Sequence, residues 1–326
     1  MTDKKLIAVV GATGSQGGGL VQAILADAGQ RFAVRALTRN ARSEKSLALV
    51  AAGAEVVEAD LDDEASLRKA FDGADGAFVV TNYWVERTRA EEAARTRAEM
   101  ELKQAENAAR AAKDAGVAHV IWSTLEDTRL HFGETDRVPS LDDGRYKVPH
   151  FDAKGEANEL FTKYGLPTTF LQTTFYFNAL LQGMGPVRGE DGKLVLTLPM
   201  ADQPLSGIAP EDIGKAALAI FARGDEFIGR TVSIAGDHST GQEYATALSD
   251  VLGEQVTYQP YTWDAFRQLG FPMAVEFANM FQYYAEDSAR FTANRDLEVV
   301  RELTPEVQSL TTWLDQHKDE LKATVA

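Results

Sequence analysis

A glycine-rich segment near the start of the chain has the residue types and spacing that hold phosphate. Gly11, Gly14 and Gly17 recur at intervals of three between the apolar run Leu6–Val10 and the helical pattern Gln16–Ala28. In such a turn the first glycine permits a sharp bend, the second lets a ligand approach the backbone, and the third lets the helix pack on the strand. Unpaired N–H groups at the start of the helix then attract an anion. The segment therefore predicts a site for the pyrophosphate of a dinucleotide.

The end of the second apolar run carries arginine where many dinucleotide-binding folds carry a carboxylate. Ala33–Thr38 is followed directly by Arg39, with Arg42 three residues further on. An acidic residue at this point binds the ribose 2′-hydroxyl of NAD, whereas a guanidinium binds a 2′-phosphate in bidentate fashion. Arg39 therefore predicts NADP(H) in preference to NAD(H), with Arg42 as a second candidate contact.

The end of the third apolar run is a candidate adenine contact. Asp60 and Leu61 stand at the position expected for the adenine of the ligand. Asp60, Asp62 and Asp63 are equally suited to capping the following helix. The sequence leaves both interpretations open.

Three side chains farther along are candidates for proton transfer. Ser123 ends the fifth apolar run, and His150 and Lys154 stand one turn apart on one face of a helix. Imidazole titrates near pH 6.5, at about neutrality, so His150 is a candidate acid and Lys154 a candidate ribose contact. Each has a structural alternative: a histidine that only packs, a solvated lysine, and a serine that caps a turn.

Other catalytic chemistries lack their residues. The chain has no G-x-S-x-G motif for acyl transfer and no cysteine, which excludes disulfides and thiol nucleophiles. The histidines show no metal-ligand spacing; they are His119, His131, His150, His238 and His317. His119 lies in an apolar run and is interpreted as a core residue. No metal site is predicted.

A regular alternation of strands and helices positions these residues. Strands are predicted at Leu6–Val10, Ala33–Thr38, Glu55–Ala59, Gly76–Thr81, Val117–Ser123 and Thr168–Gln172. Helices are predicted at Gln16–Ala28, Ser43–Ala52, Glu64–Phe71 and Phe151–Tyr164. Val- and Ala-rich strands that alternate with helices form a parallel sheet covered on both faces. The right-handed crossover rule makes it a doubly wound Rossmann fold, an α/β class.

Two domains are expected. Residues 1–172 form the dinucleotide-binding Rossmann domain, and residues 173–326, where the alternation loosens, form a smaller α+β C-terminal domain. Some later segments are expected to return to the first domain.

Two segments interrupt the alternation. Glu86–Gly116 is rich in Ala, Arg and Glu and predicts one long solvated helix, with i, i+4 pairs at Glu91–Arg95, Glu99–Lys103 and Glu106–Arg110. Arg129–Pro149 contains two prolines and predicts a loop. A loop of this length in a compact domain is usually functional or disordered.

The charge balance limits the partners. Lys and Arg number 33 against 49 Asp and Glu, for a formal net charge of −16. Such a surface repels phosphate backbones and anionic membranes, so direct binding to either is not expected. The chain has no apolar run of about eighteen residues, and its start is too short for a signal peptide. These features predict a cytoplasmic protein.

A set of short motifs spans nearly the whole chain in order. They are Gly11–Gly17, Thr81–Trp84, His150–Glu156, Leu198–Pro199, Gly207–Gly214, Leu269–Pro272, Ala278–Phe281 and Trp313–Lys318. In this combination they resemble the NmrA-like family, a branch of the atypical short-chain dehydrogenase/reductase superfamily. The resemblance implies an NADP-preferring Rossmann domain, a smaller C-terminal domain and a cleft between them. Extra residues at 85–98 and 129–149 put the shape of that cleft in question.

The resemblance also implies roles for individual residues. The pyrophosphate is held by Gly11, Thr13, Gly14, Gln16 and Gly17, and the 2′-phosphate by Arg39. The cofactor path is lined by Thr81, Asn82 and Tyr83, with Lys103 nearby, and the nicotinamide end is approached by Tyr176, Phe177 and Asn178. Ser43 stands where relatives have a second basic contact, which leaves Arg42 as its substitute.

Two functions remain open. Active short-chain dehydrogenases use Tyr-x-x-x-Lys to deliver a proton, whereas this chain has His150-x-x-x-Lys154. The missing tyrosine favours an NADP(H) sensor with little activity, whose occupancy controls association with a regulatory protein partner. The alternative is an NADPH-dependent reductase of a small carbonyl, quinone or imine, with Lys154 or His150 supplying the proton. A homodimer is common in such folds.

Overall fold

A seven-stranded parallel sheet dominates the computed structural model, which describes residues 4–325. The strands of the protein, in chain order, are β1 Lys5–Val9, β2 Phe32–Thr38, β3 Glu55–Glu58, β4 Gly76–Val79, β5 His119–Thr124, β6 Thr168–Gln172, β7 Phe175–Tyr176, β8 Val187–Arg188, β9 Leu194–Leu196, β10 Pro204–Ile208, β11 Thr231–Ser233, β12 Asp237–Thr240 and β13 Val256–Tyr258. The large sheet has the order β11-β6-β5-β4-β1-β2-β3, and its neighbours pair in parallel. This order, which runs outward from β1 in both directions, confirms the doubly wound fold.

Helices connect the strands of the large sheet and make up much of the remainder. They are α1 Ser15–Ala26, α2 Glu44–Ala51, α3 Glu64–Phe71, α4 Arg89–Ala94, α5 Arg97–Asp114, α6 Arg129–Phe132, α7 Pro149–Lys163, α8 Pro210–Arg223, α9 Gly241–Leu252, α10 Trp263–Arg267, α11 Ala274–Glu286, α12 Ser288–Ala293, α13 Leu297–Leu303, α14 Leu310–Gln316 and α15 Lys318–Val325. Short 3₁₀ helices lie at Phe177–Leu181 and Gly224–Phe227. Within residues 4–325, no helix combines the length and apolarity needed to cross a membrane.

The chain divides into two compact units. The first contains the residues up to Asp127, Pro149–Thr173 and Glu211–Ser233; the second contains Thr128–Val148, Thr174–Pro210 and the residues from Ile234 onward. A later segment thus returns to the first unit and adds β11 to the edge of the large sheet. The segment Thr128–Val148 differs from the expected division, because it belongs to the second unit although its sequence lies between two Rossmann strands.

The composition of the Glu86–Gly116 segment predicted one long solvated helix, and this prediction is wrong. The segment forms two helices, α4 and α5. The helical conformation is interrupted at Arg95, and Thr96 and Glu99 then form a capping box at the start of α5. Small side chains on α5 pack into the core of the first unit; they include Ala105, Ala108, Ala109 and Ala112. The expected i, i+4 ion pairs give way to others, because Arg95 contacts Asp62, Lys103 contacts Glu106 and Arg110 contacts Glu64. Arg95 and Arg110 thus pair with residues outside their own helices, whereas Lys103 pairs with a neighbour three residues farther along α5.

The second unit contains two small sheets and the remaining helices. One sheet has the order β12-β10-β7 and the other β13-β9-β8. Aromatic rings from α11 and α12 pack in the interior of the second unit. Tyr284 and Phe291 meet edge to face, with their ring centroids 5.0 Å apart. This agrees with the smaller α+β architecture expected for the C-terminal half.

The predicted loop Arg129–Pro149 is anchored within the second unit as far as Val148, and Pro149 begins α7 of the first unit. The segment begins with α6, and Leu141 pairs with Tyr146 across a tight turn. The Lys147 ammonium donates to the carbonyl oxygens of Thr135 and Val138 at 2.7 and 2.9 Å. Asn279 Nδ2 on α11 donates to the carbonyl oxygen of Lys147 at 2.7 Å. The segment is therefore built of specific contacts, although its sequence has no helical or strand period.

Candidate functional site

The glycine turn after β1 has the geometry of a phosphate cradle. Gly11 adopts a φ of +68°, in the left-handed region that glycine tolerates best. A Cβ on Gly17 would lie 2.5 Å from the Gly11 carbonyl oxygen, so a side chain is excluded there. No side chain of residues 4–325 caps α1 at Gly14, and no acidic residue stands in its first turn. The start of the helix therefore suits an anion, and the residues present fit a pyrophosphate.

Two further glycines, Gly19 and Gly214, allow α1 and α8 of the first unit to pack closely. A Cβ on Gly214 of α8 would lie 2.1 Å from the Leu20 amide nitrogen, and one on Gly19 would lie 2.8 Å from the Glu211 carbonyl oxygen. The backbones of α1 and α8 are thus in direct contact. The glycine motif around position 214 is explained by packing behind the phosphate turn.

The two arginines after β2 are exposed and available to a ligand. The side chains of Arg39 and Arg42 make no hydrogen bond or ion pair with other residues in the described range 4–325. The turn between them is closed by a hydrogen bond in which Asn40 Oδ1 accepts from the Arg42 amide at 3.0 Å. Ser43 accepts from the Ser46 amide at 3.2 Å and caps α2. Ser43 is therefore occupied by the helix, which leaves Arg42 as the second basic group at this edge.

The residues after β3 are largely engaged in local structure. Asp63, and not Asp60, is the N-cap of α3. Asp60 Oδ1 accepts from the Asp62 amide at 2.9 Å, which closes a turn. Leu61 packs partly on the core, and its carbonyl oxygen accepts from Asn107 Nδ2 at 2.8 Å. The predicted adenine contact at Asp60 and Leu61 stays a prediction.

The segment Thr81–Trp84 follows β4 and is held by side chains of its own unit. Thr81 and Tyr83 are buried, whereas Asn82 is exposed and its Oδ1 accepts from the Trp84 amide at 3.0 Å. Arg97 at the start of α5 donates to the carbonyl oxygens of Tyr83 and Val85 at 2.5 and 2.9 Å. The extra residues at 85–98 thus brace the end of β4.

Lys154 does not lie in solvent but in a buried polar cluster with Thr81 and Glu101. Its Nζ lies 2.6 Å from Glu101 Oε1, 2.6 Å from Thr81 Oγ1 and 3.2 Å from the Thr81 carbonyl oxygen. Thr81 Oγ1 also donates to Glu101 Oε1 at 2.6 Å. An ammonium has three protons, so these acceptors account for its whole donor capacity.

Close backbone packing and the Trp122 ring complete the surroundings of Lys154. A Cβ on Gly155 would lie 2.9 Å from the Asp127 amide nitrogen, so glycine lets α7 come close to the end of β5. Lys154 Nζ also lies 5.5 Å from the centroid of the Trp122 ring.

His150 lies one turn before Lys154 and is packed among aromatic rings. Its ring centroid lies 5.7 Å from that of Tyr83, 4.9 Å from that of Trp84 and 5.0 Å from that of Phe151. The side chain is buried, while Trp84 is 45% exposed and covers it. The position that holds tyrosine in active short-chain dehydrogenases is thus part of an aromatic cluster here.

Ser123 links the end of β5 to the phosphate turn. Its hydroxyl donates to Gln16 Oε1 at 2.6 Å, and the serine is buried. Two residues predicted separately, one for proton transfer and one for pyrophosphate binding, are therefore in direct contact. Thr13 lies half-buried in the same turn.

For four further predicted residues the cofactor roles stay predictions. Lys103 is exposed on α5 and pairs with Glu106 at 3.3 Å. Tyr176, Phe177 and Asn178 belong to the second unit. Phe177 is fully buried there beside Trp313, with centroids 5.9 Å apart, whereas Tyr176 and Asn178 are half-buried. Within the part of the chain that the structure describes, no group of three or more acidic or histidine side chains has the arrangement of a metal site.

Glu101 is the residue that the sequence analysis missed. It was counted among the charges of a solvated helix, yet the structure leaves it 1% exposed. A signal was present, because Ala98, Glu101, Ala105, Ala108 and Ala112 follow the i, i+3, i+4 spacing of one helix face. A lone carboxylate on an alanine stripe indicates a buried partner elsewhere in the chain.

These features define a class and a family. The sheet order and the glycine turn are those of a doubly wound α/β protein with a dinucleotide-type phosphate turn. The model of the NmrA-like family matches residues 3–314, and the chain belongs to that family.

Known proteins of similar sequence or fold include two oxidoreductases and a negative transcriptional regulator. The NmrA-like family domain-containing oxidoreductase FrzB of Cladobotryum sp is 28% identical over 308 residues, which cover 88% of this chain and 86% of FrzB. The structure of NmrA, a negative transcriptional regulator, in complex with NADP has a TM-score of 0.75 and 22% identity, covering 98% of this chain and 97% of that one. The NADPH complex of the quinone oxidoreductase QOR2 from Escherichia coli has a TM-score of 0.70 and 23% identity, covering 95% and 99%. At this identity the structures establish the shared fold.

Proposed function

We propose that the chain binds NADP(H) at the carboxyl edge of the large sheet. The uncapped start of α1 receives the pyrophosphate, and the unengaged guanidinium of Arg39 receives the 2′-phosphate. The ligands named for the NmrA and QOR2 structures support the same class. Bound NADPH supplies a hydride, so the role of the protein depends on whether its residues also manage a proton.

We infer that occupancy by NADP(H), more than turnover of a carbonyl compound, is the main output of this site. The observation that carries this is the commitment of Lys154, whose three protons already have acceptors within 3.2 Å. A carbonyl reductase needs a positioned acid at the reacting oxygen. His150 replaces the expected tyrosine and is packed by Tyr83 and Trp84.

An occupancy sensor needs a second event that the ligand biases. A ligand shifts an equilibrium only through different affinities for two states. We expect the second event to be association with a regulatory protein partner or a change in homodimerisation. Binding of NADP(H) would therefore change the affinity of the chain for its protein partner or for a second copy of itself.

A reductase of an electron-poor small molecule is the second candidate. FrzB and other relatives are named oxidoreductases, and the QOR2 neighbour is named for quinones. A quinone or imine that takes its proton from water demands less of His150 and Lys154 than a ketone does. The two candidates share the cofactor and differ in turnover.

The deciding experiment measures binding and turnover on one protein sample. Calorimetry gives the affinity for NADPH, and loss of reduced-nicotinamide absorbance gives turnover across a panel of carbonyls, quinones and imines. The sensor predicts binding without turnover, together with a ligand-dependent change in self-association. Steady turnover of any panel member in place of that change supports the reductase.

Gly14→Val is the control for the site itself. A branched side chain at Gly14 stands where the phosphates must approach, so NADPH binding should disappear while circular dichroism stays unchanged. Undiminished binding by the folded variant would contradict the assignment of the glycine turn.

A further inference from the structure

The Thr81–Glu101–Lys154 cluster lies on the side of the sheet expected for the second half of the dinucleotide. In the sheet order, β2 and β4 flank β1 on opposite sides. Arg39 follows β2 and the pyrophosphate turn follows β1, which places the adenosine half over β2. Thr81 follows β4, so a dinucleotide extended across the turn brings its nicotinamide ribose toward Thr81 and Lys154. This step rests on the proposed function.

The contacts of Lys154 are unequal, and that inequality shows which of them a ligand can replace. Glu101 Oε1 and Thr81 Oγ1 lie 2.6 Å from Nζ, whereas the Thr81 carbonyl oxygen lies 3.2 Å away. Charge-assisted hydrogen bonds to a carboxylate are the stronger kind. A ribose hydroxyl can therefore take the proton on the long contact while Glu101 holds the ammonium in place.

The burial of Glu101 indicates a role beyond holding two helices together, because a buried carboxylate is costly to desolvate. Its carboxylate is 1% exposed, and Oε2 has no hydrogen-bond partner among residues 4–325. Apolar residues of similar size often hold helices together as well as a buried ion pair does. The alanine stripe of α5 already packs into the core that contains Phe161 of α7. The buried Glu101–Lys154 ion pair lies at the edge of the sheet proposed to bind the dinucleotide, where a charged lysine can contact the ligand.

We propose that Glu101 is a positioning residue for the nicotinamide half of the bound dinucleotide. It acts through Lys154, whose ammonium it holds beside Thr81 at the end of β4. Its effect is therefore confined to ligands that reach beyond the pyrophosphate, and it vanishes when Lys154 is absent.

The test compares a whole dinucleotide with its adenosine half. Calorimetry with NADP⁺ and with 2′,5′-ADP is carried out on the full chain and on Glu101→Gln. We expect the affinity for NADP⁺ to fall at least tenfold and that for 2′,5′-ADP to change less than twofold. Glu106→Gln, on the same helix but bound to Tyr164, is the matched control and should change neither affinity.

A second comparison covers the case in which Glu101→Gln does not fold. Lys154→Met and the double variant Glu101→Gln/Lys154→Met carry no unpaired lysine charge in the cluster, and they should bind NADP⁺ within twofold of each other. Equal losses for both ligands in Glu101→Gln, no loss for NADP⁺, or a further loss in the double variant would overturn the proposal. If the unmodified chain binds neither ligand, the proposed function fails first and this inference fails with it.

Discussion

The side chain of Arg39 differs from its neighbours because it makes no hydrogen bond or ion pair with any other residue in the range 4–325. Asn40 and Ser43 are engaged in the turn and the helix cap, and Glu58 accepts from the Ala41 amide at 3.1 Å. A residue without internal partners is available to bind a ligand without breaking an internal contact.

Arg39→Ala should weaken NADP(H) selectively. Loss of a charge-assisted hydrogen bond costs about 1.5–3 kcal/mol, so the dissociation constant for NADP⁺ should rise by about one to two orders of magnitude. NAD⁺, which lacks the 2′-phosphate, should bind as before. Calorimetry with both dinucleotides measures the difference, and Arg42→Ala shows whether the second arginine shares the role. Equal losses for NADP⁺ and NAD⁺ would contradict the assignment.

At the scale of elements, α11 holds the Thr128–Val148 segment through a polar cluster around Glu286. Arg137 forms a hydrogen-bonded ion pair with both oxygens of Glu286, and His131 Nε2 lies 3.2 Å from Oε2. Gln282 Nε2 donates to Oε1 at 2.8 Å. Burial alone would raise the pKa of Glu286, but the hydrogen bonds from Arg137, Gln282 and His131 outweigh it and lower the pKa to about 2.

Glu286→Gln should lower stability in a pH-dependent way. The ordinary pKa of the carboxyl is 4.5 and the folded value is about 2, so the folded protein keeps the charge to lower pH than the unfolded chain. The stabilisation is present above pH 4.5 and is lost as the pH falls toward about 2. We expect the variant to lose about 1.5–3 kcal/mol at neutral pH, the range for hydrogen bonds to charged groups.

Urea unfolding at several pH values measures this effect. The difference between the unmodified protein and Glu286→Gln should shrink as the pH is lowered from neutrality. Glu254→Gln, which removes an exposed ion pair with Arg188, is the control and should change stability little. A difference that stays constant with pH would show that the Glu286 charge does not hold the segment.

At the scale of the whole molecule, the net charge of −16 argues against direct contact with DNA. The NmrA neighbour is described as a negative transcriptional regulator, which raises the question for the family. Non-specific DNA binding depends on lysines and arginines that displace counterions. Here 49 acidic residues face 33 basic ones, so any regulatory effect should pass through a protein partner.

The chain should not bind duplex DNA even at low ionic strength. Fluorescence anisotropy of a labelled duplex at about 50 mM salt should stay flat up to about 100 µM protein, the weak limit for non-specific binders. NADP⁺ and NADPH are added in parallel runs because the bound dinucleotide adds further negative charge. Saturable binding at micromolar protein with either ligand would contradict this prediction.

Local pattern was enough to predict much of the first unit. The predicted helix Glu64–Phe71 and strand Thr168–Gln172 have the observed bounds, and the other five predicted strands differ from the observed ones by a few residues at most. These elements can be predicted because the apolar side chains of a strand recur every two residues and those of a helix about every 3.6 residues. Both patterns are visible within a short stretch of sequence. The break between α4 and α5 was missed because Arg95–Thr96 lies within a run of good helix formers.

The sequence by itself determined the doubly wound fold class, the glycine turn and the arginine after β2, because each can be predicted from local patterns of residues close together in the chain. Only the tertiary structure decided the partners of Lys154, which lie 53 and 73 residues away, and the unit to which Thr128–Val148 belongs. A charge on a helix looks solvated until the partner that buries it is known. Whether Lys154 serves as a surface charge or a held ammonium was therefore settled by the fold, which brings α5, α7 and the end of β4 to one place.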